Sequence, residues 1–288
     1  MMGALSSFCF MAIAAKELSG EINTFQILFI RSAISLMIIV SIITLSNNWQ
    51  WFTTKRLGWH GLRNITHLAG QYGWFVAIGM LPLAEVFALE FTVPFWTALL
   101  AFLLLRESLS LRKLVAIFFG FAGVMIIVQP GFKQVDAGVM VILLAAIFYS
   151  FAYIGTRALA TTENPVTILF YMCAIQFPIT LCFAFYEWQT PDLRQWFWLL
   201  VVSVSALTAH YCLSHAMKYS DAAVVVTMDF LRLPAIAIVG ALFYAEKIEP
   251  ALFLGALLML FGNVVNLYRR KSGKIQSKCS QNESDSKV

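Results

Sequence analysis

Residues 106–128 read RESLSLRKLVAIFFGFAGVMIIV, and residues 245–267 read AEKIEPALFLGALLMLFGNVVNL. Each stretch has a glutamate at its second position, a short polar or basic turn, and then an apolar run with a glycine at the same place. Glu107 thus meets Glu246 and Gly123 meets Gly262 at a spacing of 139. Apolar stretches match one another by chance, so only the polar and glycine coincidences carry weight. They continue upstream in register, where Phe91 meets Phe230, Glu90 meets Asp229, Ala84 meets Ala223 and Tyr72 meets Tyr211. Nearer the start the spacing becomes 141, and Ile27, Leu28 and Phe29 recur as Ile168, Leu169 and Phe170. The chain reads as two copies of one unit, residues 1–130 and 135–268, followed by a polar tail, 269–288, of disordered composition.

The medium around those units follows from composition. Of the 288 residues, 60% are hydrophobic and only 12% charged, about half the charge of a soluble domain. A helix of ~20 apolar residues crosses a hydrocarbon core about 30 Å thick. Ten stretches qualify: the opening residues to about Ala15, then 25–46, 65–81, 84–105, 114–128, 137–160, 166–186, 196–217, 222–245 and 251–268. The first reads as a retained helix, since no basic segment precedes it as in a cleaved leader. Five spans per unit is an odd number, so the second unit enters the membrane from the opposite side. The expected fold is an all-α membrane protein of ten transmembrane helices formed by two inverted five-helix repeats.

Orientation follows from the basic residues. Of 20 Lys and Arg, Arg31 and Arg232 lie within spans, and only Lys16, Lys133, Arg194 and Lys247 fall in one set of loops. The remaining 14, Arg63 among them, fall in the other set and the tail. The positive-inside tendency then puts both termini in the cytoplasm of a bacterial-type inner membrane. The basic balance is accounted for by orientation, with no nucleic-acid partner needed. Trp49, Trp51, Trp59, Trp188, Trp196 and Trp198 sit at span ends, as an interfacial belt requires, in contact with membrane lipids.

Charge inside a span costs about 2.5–3.5 kcal/mol at the bilayer centre and needs a partner, a wet cavity or a function. Glu90 is the leading candidate. It precedes Pro94 by four, and the missing N–H of that proline leaves the Glu90 carbonyl without its helical partner. Pro234 does the same for Phe230, beside Asp229, so both helices open next to an acid, as in the interrupted helices of transporter sites. On this reading Glu90 or Asp229 takes a coupling proton or a cationic substrate group, and Arg31 or Arg232 holds a carboxylate or phosphate. The competing reading is purely structural, with Asp229 neutralising Arg232 three residues on and Arg31 pairing with Glu90. His67 and Gln71 are one turn apart, and His210 takes the repeat position of Gln71; all three are candidates for one cavity. Tyr72, Trp74, Trp96, Tyr149, Tyr153 and Tyr211 form an inner aromatic set, of which Trp96 and Tyr153 are the candidates for cargo contact. Glu107 and Glu246 are expected to fix the turns and the starts of the helices that follow them. The cysteines in apolar spans read as small buried residues, not as disulfides or metal ligands.

A span ending in Glu, a short loop, basic or polar residues and an apolar span with a central Gly, present twice, resembles the EamA-type branch of the drug/metabolite transporter superfamily. Residues 91–111, FTVPFWTALLAFLLLRESLSL, and 228–248, MDFLRLPAIAIVGALFYAEKI, are similar to that family's fourth and ninth helices. The resemblance implies a ten-helix bundle around a central cavity. Such a permease moves a small amphipathic metabolite, such as an amino acid, S-adenosylmethionine or a riboflavin-like solute, by alternating access, with a proton as candidate coupling ion. A lipid or lipid-linked solute flippase is the alternative. An embedded enzyme is disfavoured, because the sequence holds no HExxH pair, no GxSxG elbow and no clustered Cys/His ligands. No phosphate-cradling glycine loop or other cofactor motif is present, so ATP dependence would need a separate subunit.

Overall fold

The computed structural model describes residues 2–105, 111–130, 136–160, 162–219, 229–247 and 249–267. Among the described residues the regular structure is helical throughout: α1 (Met2–Leu18), α2 (Thr24–Leu45), α3 (Leu57–Met80), α4 (Leu83–Glu90), α5 (Val93–Leu105), α6 (Leu111–Val128), α7 (Ala137–Ala160), α8 (Pro165–Ala184), α9 (Leu193–Tyr219), α10 (Arg232–Tyr244) and α11 (Pro250–Leu267), with short 3-10 turns at Trp49–Phe52 and Phe185–Glu187. Five stretches are long and apolar enough to cross a membrane: Thr24–Leu45, Leu83–Leu100, Ala137–Ala160, Pro165–Glu187 and Leu193–Ala216. Leu114–Val128, Arg232–Tyr244 and Pro250–Val265 are shorter apolar helices. The apolar residues that remain on the outside, Met37, Leu144, Leu242 and Phe261 among them, suit a lipid-facing surface.

Local chemistry sets the helix starts. The Asn23 side chain accepts the Phe25 N–H at 2.9 Å, and Asn164 does the same for Val166 at 2.9 Å, with Pro165 at the first helical position. The stretch expected as one span over 84–105 is two helices. Phe91 and Thr92 interrupt it, Thr92 Oγ1 donates to the Leu89 carbonyl at 2.7 Å, and α5 restarts at Val93. In the second half the turn at Phe230 and Leu231 precedes α10, whose Leu233 N–H returns to the Phe230 carbonyl at 3.1 Å. The tail 269–288 and the earlier part of the expected span 222–245 lie outside the described residues.

Two boundaries correct the sequence reading. α3 begins at Leu57, eight residues before the expected 65, so Arg63 is not a loop cation but a buried residue of the helix, 4% exposed. It is tolerated there because its guanidinium donates to Asn64 Oδ1 at 2.6 Å and Thr156 Oγ1 at 3.2 Å. α1 likewise continues to Leu18, carrying Lys16 in its last turn.

The helices pack in pairs that join early chain to late chain: α1 along α9, α2 along α8, α3 along α7, α4 against α10 and α6 along α11. The α6–α11 seam is backbone against backbone. A Cβ on either Gly123 or Gly255 would lie 2.7 Å from the other's carbonyl oxygen, and one on Gly262 would lie 3.0 Å from the Ala116 carbonyl.

Candidate functional site

The α4–α5 break meets the turn before α10. Phe91 at the break and Phe230 in that turn stack with centroids 4.1 Å apart and planes 15° from parallel. Beside them Arg232 Nη2 donates to Asp229 at 2.6 Å and approaches Glu90 at 3.5 Å, while Trp74 Nε1 donates to the other Glu90 oxygen at 2.9 Å. The Arg232 guanidinium lies 4.4 Å from the Phe8 ring centroid and 5.4 Å from those of Phe87 and Phe91, an aromatic cage for a buried cation. Arg232 and Trp74 are buried, whereas the side chains of Glu90 and Asp229 keep 17% and 14% of their surface.

A second polar cluster adjoins the first. Arg31 Nη2 donates to Gln71 Oε1 and Gln176 Oε1, each at 3.2 Å. Gln176 Nε2 in turn donates to the Asn64 carbonyl at 3.3 Å and lies 3.1 Å from His67 Nδ1. The His67 ring is 5.0 Å from His210 and 5.6 Å from Tyr149, and His210 stands edge-on to Phe8 at 5.8 Å. Phe8 therefore touches both clusters. Tyr149 and Tyr153 are both half-buried and one turn apart on α7, on the helix face that Tyr149 presents to His67.

Most of the residues singled out from the sequence are thus brought together: Glu90, Asp229 and Arg232 in one cluster, Arg31, His67 and Gln71 in the other, His210 between them and Tyr153 one turn from Tyr149, with Pro94 just past the α4–α5 break and Pro234 in the first turn of α10. The Arg31–Glu90 pair does not form. Trp96 lies apart, edge-on to Phe121 of α6 at 5.4 Å beside a small apolar crevice. Tyr72 and Tyr211 are not inner aromatics. Tyr72 stacks on Phe25 at 4.4 Å and Tyr211 on His215 at 5.9 Å, and both are substantially exposed. Arg63, Asn64, Gln176 and Phe8 were missed. His60, Asn64, His67, Gln71 and Trp74 repeat every three or four residues, which is one helix face, and that stripe was the available signal.

At one end of the bundle Glu246 does not serve the start of its own following helix. Its carboxylate accepts the Leu83 N–H at 2.9 Å, capping α4, and pairs with Lys16 at 3.4 Å. Lys16 Nζ also donates to the carbonyls of Ile78 and Leu81 at 3.0 Å each. The ends of α1, α3, α4 and α10 are tied there beside a cavity of about 260 Å³ that Glu85, Asp136, Glu246, Lys247 and Glu249 help to line. Glu107 lies outside the described residues.

A multi-pass helical membrane protein with charged groups gathered where a helix break meets a helix start belongs to the general class of membrane transporters. The chain is a member of the EamA-like transporter family, which matches residues 1–129 and again 136–268. It is 27% identical to a riboflavin transporter of Vibrio cholerae over 80% of this chain and 78% of that one. It is 22% identical to an S-adenosylmethionine uptake transporter of Rickettsia prowazekii over 90% and 88% of the two chains. It is 25% identical to the pseudopaline exporter CntI of Pseudomonas aeruginosa over 95% and 96%. A solved crystal structure shares the fold, with a TM-score of 0.67 over 94% of this chain and 97% of that one at 16% identity.

Proposed function

We propose that the chain is a secondary active transporter that carries a small amphipathic metabolite across a bacterial-type inner membrane by alternating access. The observation that carries the reading is the meeting of the α4–α5 break with the turn before α10 at the Phe91–Phe230 stack, with Glu90, Asp229 and Arg232 beside it. Opened helices with charged groups at the break are how transporters bind solutes away from water. The relatives carry riboflavin and S-adenosylmethionine, solutes with planar rings and polar arms, and the aromatic and polar lining here suits that class.

Alternating access needs two arrangements of equal standing, and an inverted repeat supplies them. With α4 and α5 counted as one interrupted span, the described helices number as ten spans. Moving five spans along turns the α1–α9 pair into the α3–α7 pair and returns the other three pairs to themselves. The Gly123–Gly255 contact likewise becomes the Gly262–Ala116 contact. That symmetry, and the two separate family matches, support repeats at 1–130 and 135–268, and the loop bias of Lys and Arg supports cytoplasmic termini. Glu90 is the candidate site for a coupling proton, since it holds one weak contact to Arg232 while Asp229 holds the short one.

The test is uptake of radiolabelled S-adenosylmethionine and riboflavin into proteoliposomes under an imposed pH gradient. Accumulation of either solute is expected, with Glu90→Gln losing the dependence on the gradient. Absence of uptake of both, together with scrambling of fluorescent lipid, would replace this reading with a flippase.

A further inference from the structure

We infer that the cargo carries a carboxylate or phosphate group and that Arg31 and Arg63, not Arg232, receive it; the inference rests on the transporter reading above. Three buried guanidiniums line the site, and they differ in what surrounds them. Arg232 is balanced by Asp229 at 2.6 Å and Glu90 at 3.5 Å. Arg31 and Arg63 are 2% and 4% exposed, and among the described residues neither has a carboxylate within 4.0 Å. Their acceptors are neutral: the amide oxygens of Gln71 and Gln176 for Arg31, Asn64 Oδ1 and Thr156 Oγ1 for Arg63.

The unfilled valences also share one sign. Both bonds of Arg31 leave from Nη2, so its buried Nε and Nη1 have no partner, and neither does Asn64 Nδ2. All three are donors. A buried donor without an acceptor is costly, and an uncompensated buried cation more so, so an anion entering here satisfies both deficits together. Gln176 holds the arrangement in place, accepting from Arg31 with its oxygen while its nitrogen donates to the Asn64 carbonyl. Nε and Nη1 lie on different edges of the guanidinium, each beside Nη2, so an entering oxyanion takes a charge-assisted bond from one of these free donors and can share that edge with Nη2 by displacing a glutamine oxygen. Arg232 Nε is also without a partner, but the two carboxylates that flank this guanidinium already balance its charge and repel a further anion. The ring of the cargo would then lie toward Tyr149, His210 and Phe8, between the two clusters.

Matched ligands separate the two anion chemistries. Detergent-purified full-length protein is titrated, with thermal stabilisation as the readout, against S-adenosylmethionine and its decarboxylated form, and against riboflavin and riboflavin 5′-phosphate. The anion-bearing member of at least one pair is expected to bind tenfold or more tightly than its partner, the first pair reporting a carboxylate and the second a phosphate. In Arg31→Gln and in Arg63→Gln that preference should fall toward one, whereas a general lesion would weaken both members alike. Should Arg31→Gln not fold, Arg31→Lys, which keeps the charge and loses the free Nε and Nη1 donors, is expected to bind the anion-bearing member several-fold less tightly. Equal binding within both pairs, or a preference undiminished in the variants that fold, overturns the inference and leaves the transporter reading standing. No binding by any of the four overturns the inference and counts against the transporter reading as well.

Discussion

Glu90, Asp229 and Arg232 show how a membrane interior tolerates charge, because each group is held by something different and should respond differently to removal. Arg232 stands between two carboxylates, so Arg232→Met leaves both without a counter-ion; breaking a buried pair in this way costs about 3–5 kcal/mol, and detergent unfolding of that variant should fall accordingly. Trp74→Phe removes only one donor from Glu90 and keeps the packing, so a loss of about 1–2 kcal/mol is expected in the same assay. An equal loss for the two variants would mean that the Trp74 bond and the ion pairs form one unit. The candidate acids and bases of this site were legible in the sequence because apolar surroundings make any charge conspicuous. Their pairing was not, since Arg31 had both Glu90 and polar amides within plausible reach and only helix rotation decides. Tyr72 and Trp74 make the same point. They are two residues apart on α3, yet one stacks outward on Phe25 and the other binds Glu90.

At the scale of elements, apolar run length is a good guide to where helices lie and a poor one to where they start. Runs such as 137–160 agree with α7 because they hold no proline and their one charge, Arg157, falls in the last turn. The start of α3 was misread because Arg63 looks like the end of a run, and only its bonds to Asn64 and Thr156 make it an interior residue. The breaks were legible for a local reason, namely that proline removes a specific N–H whatever surrounds it. That reason gives a test. Pro94→Ala restores the donor to the Glu90 carbonyl and should join α4 to α5 into a straighter helix, with thermal stability unchanged or raised and the transport rate lowered at least severalfold. Unaltered transport would show that the break is incidental to turnover.

For the molecule as a whole, the helix pairing has a consequence for how the protein is made. Each of the five partnerships takes one helix from before residue 130 and one from after residue 135, so among the described residues the main packing runs between the two parts of the chain and not within either. While the ribosome is still producing the later helices, the earlier ones sit in lipid with their polar stripes, the α3 face from His60 to Trp74 above all, facing no proper mate. A partner that shields such stripes during insertion would therefore matter more here than for a bundle built of neighbouring hairpins. Expressed as two separate polypeptides divided between residues 130 and 136, the parts should be degraded singly and recovered as a joint complex when made together, as judged by co-purification. Survival of either part alone would mean that it has found a substitute mate, in itself or in a second copy. The interleaving also makes the protein indivisible in descent: once two such units have exchanged every partner, neither can be shed, replaced or reshuffled without the other changing in step.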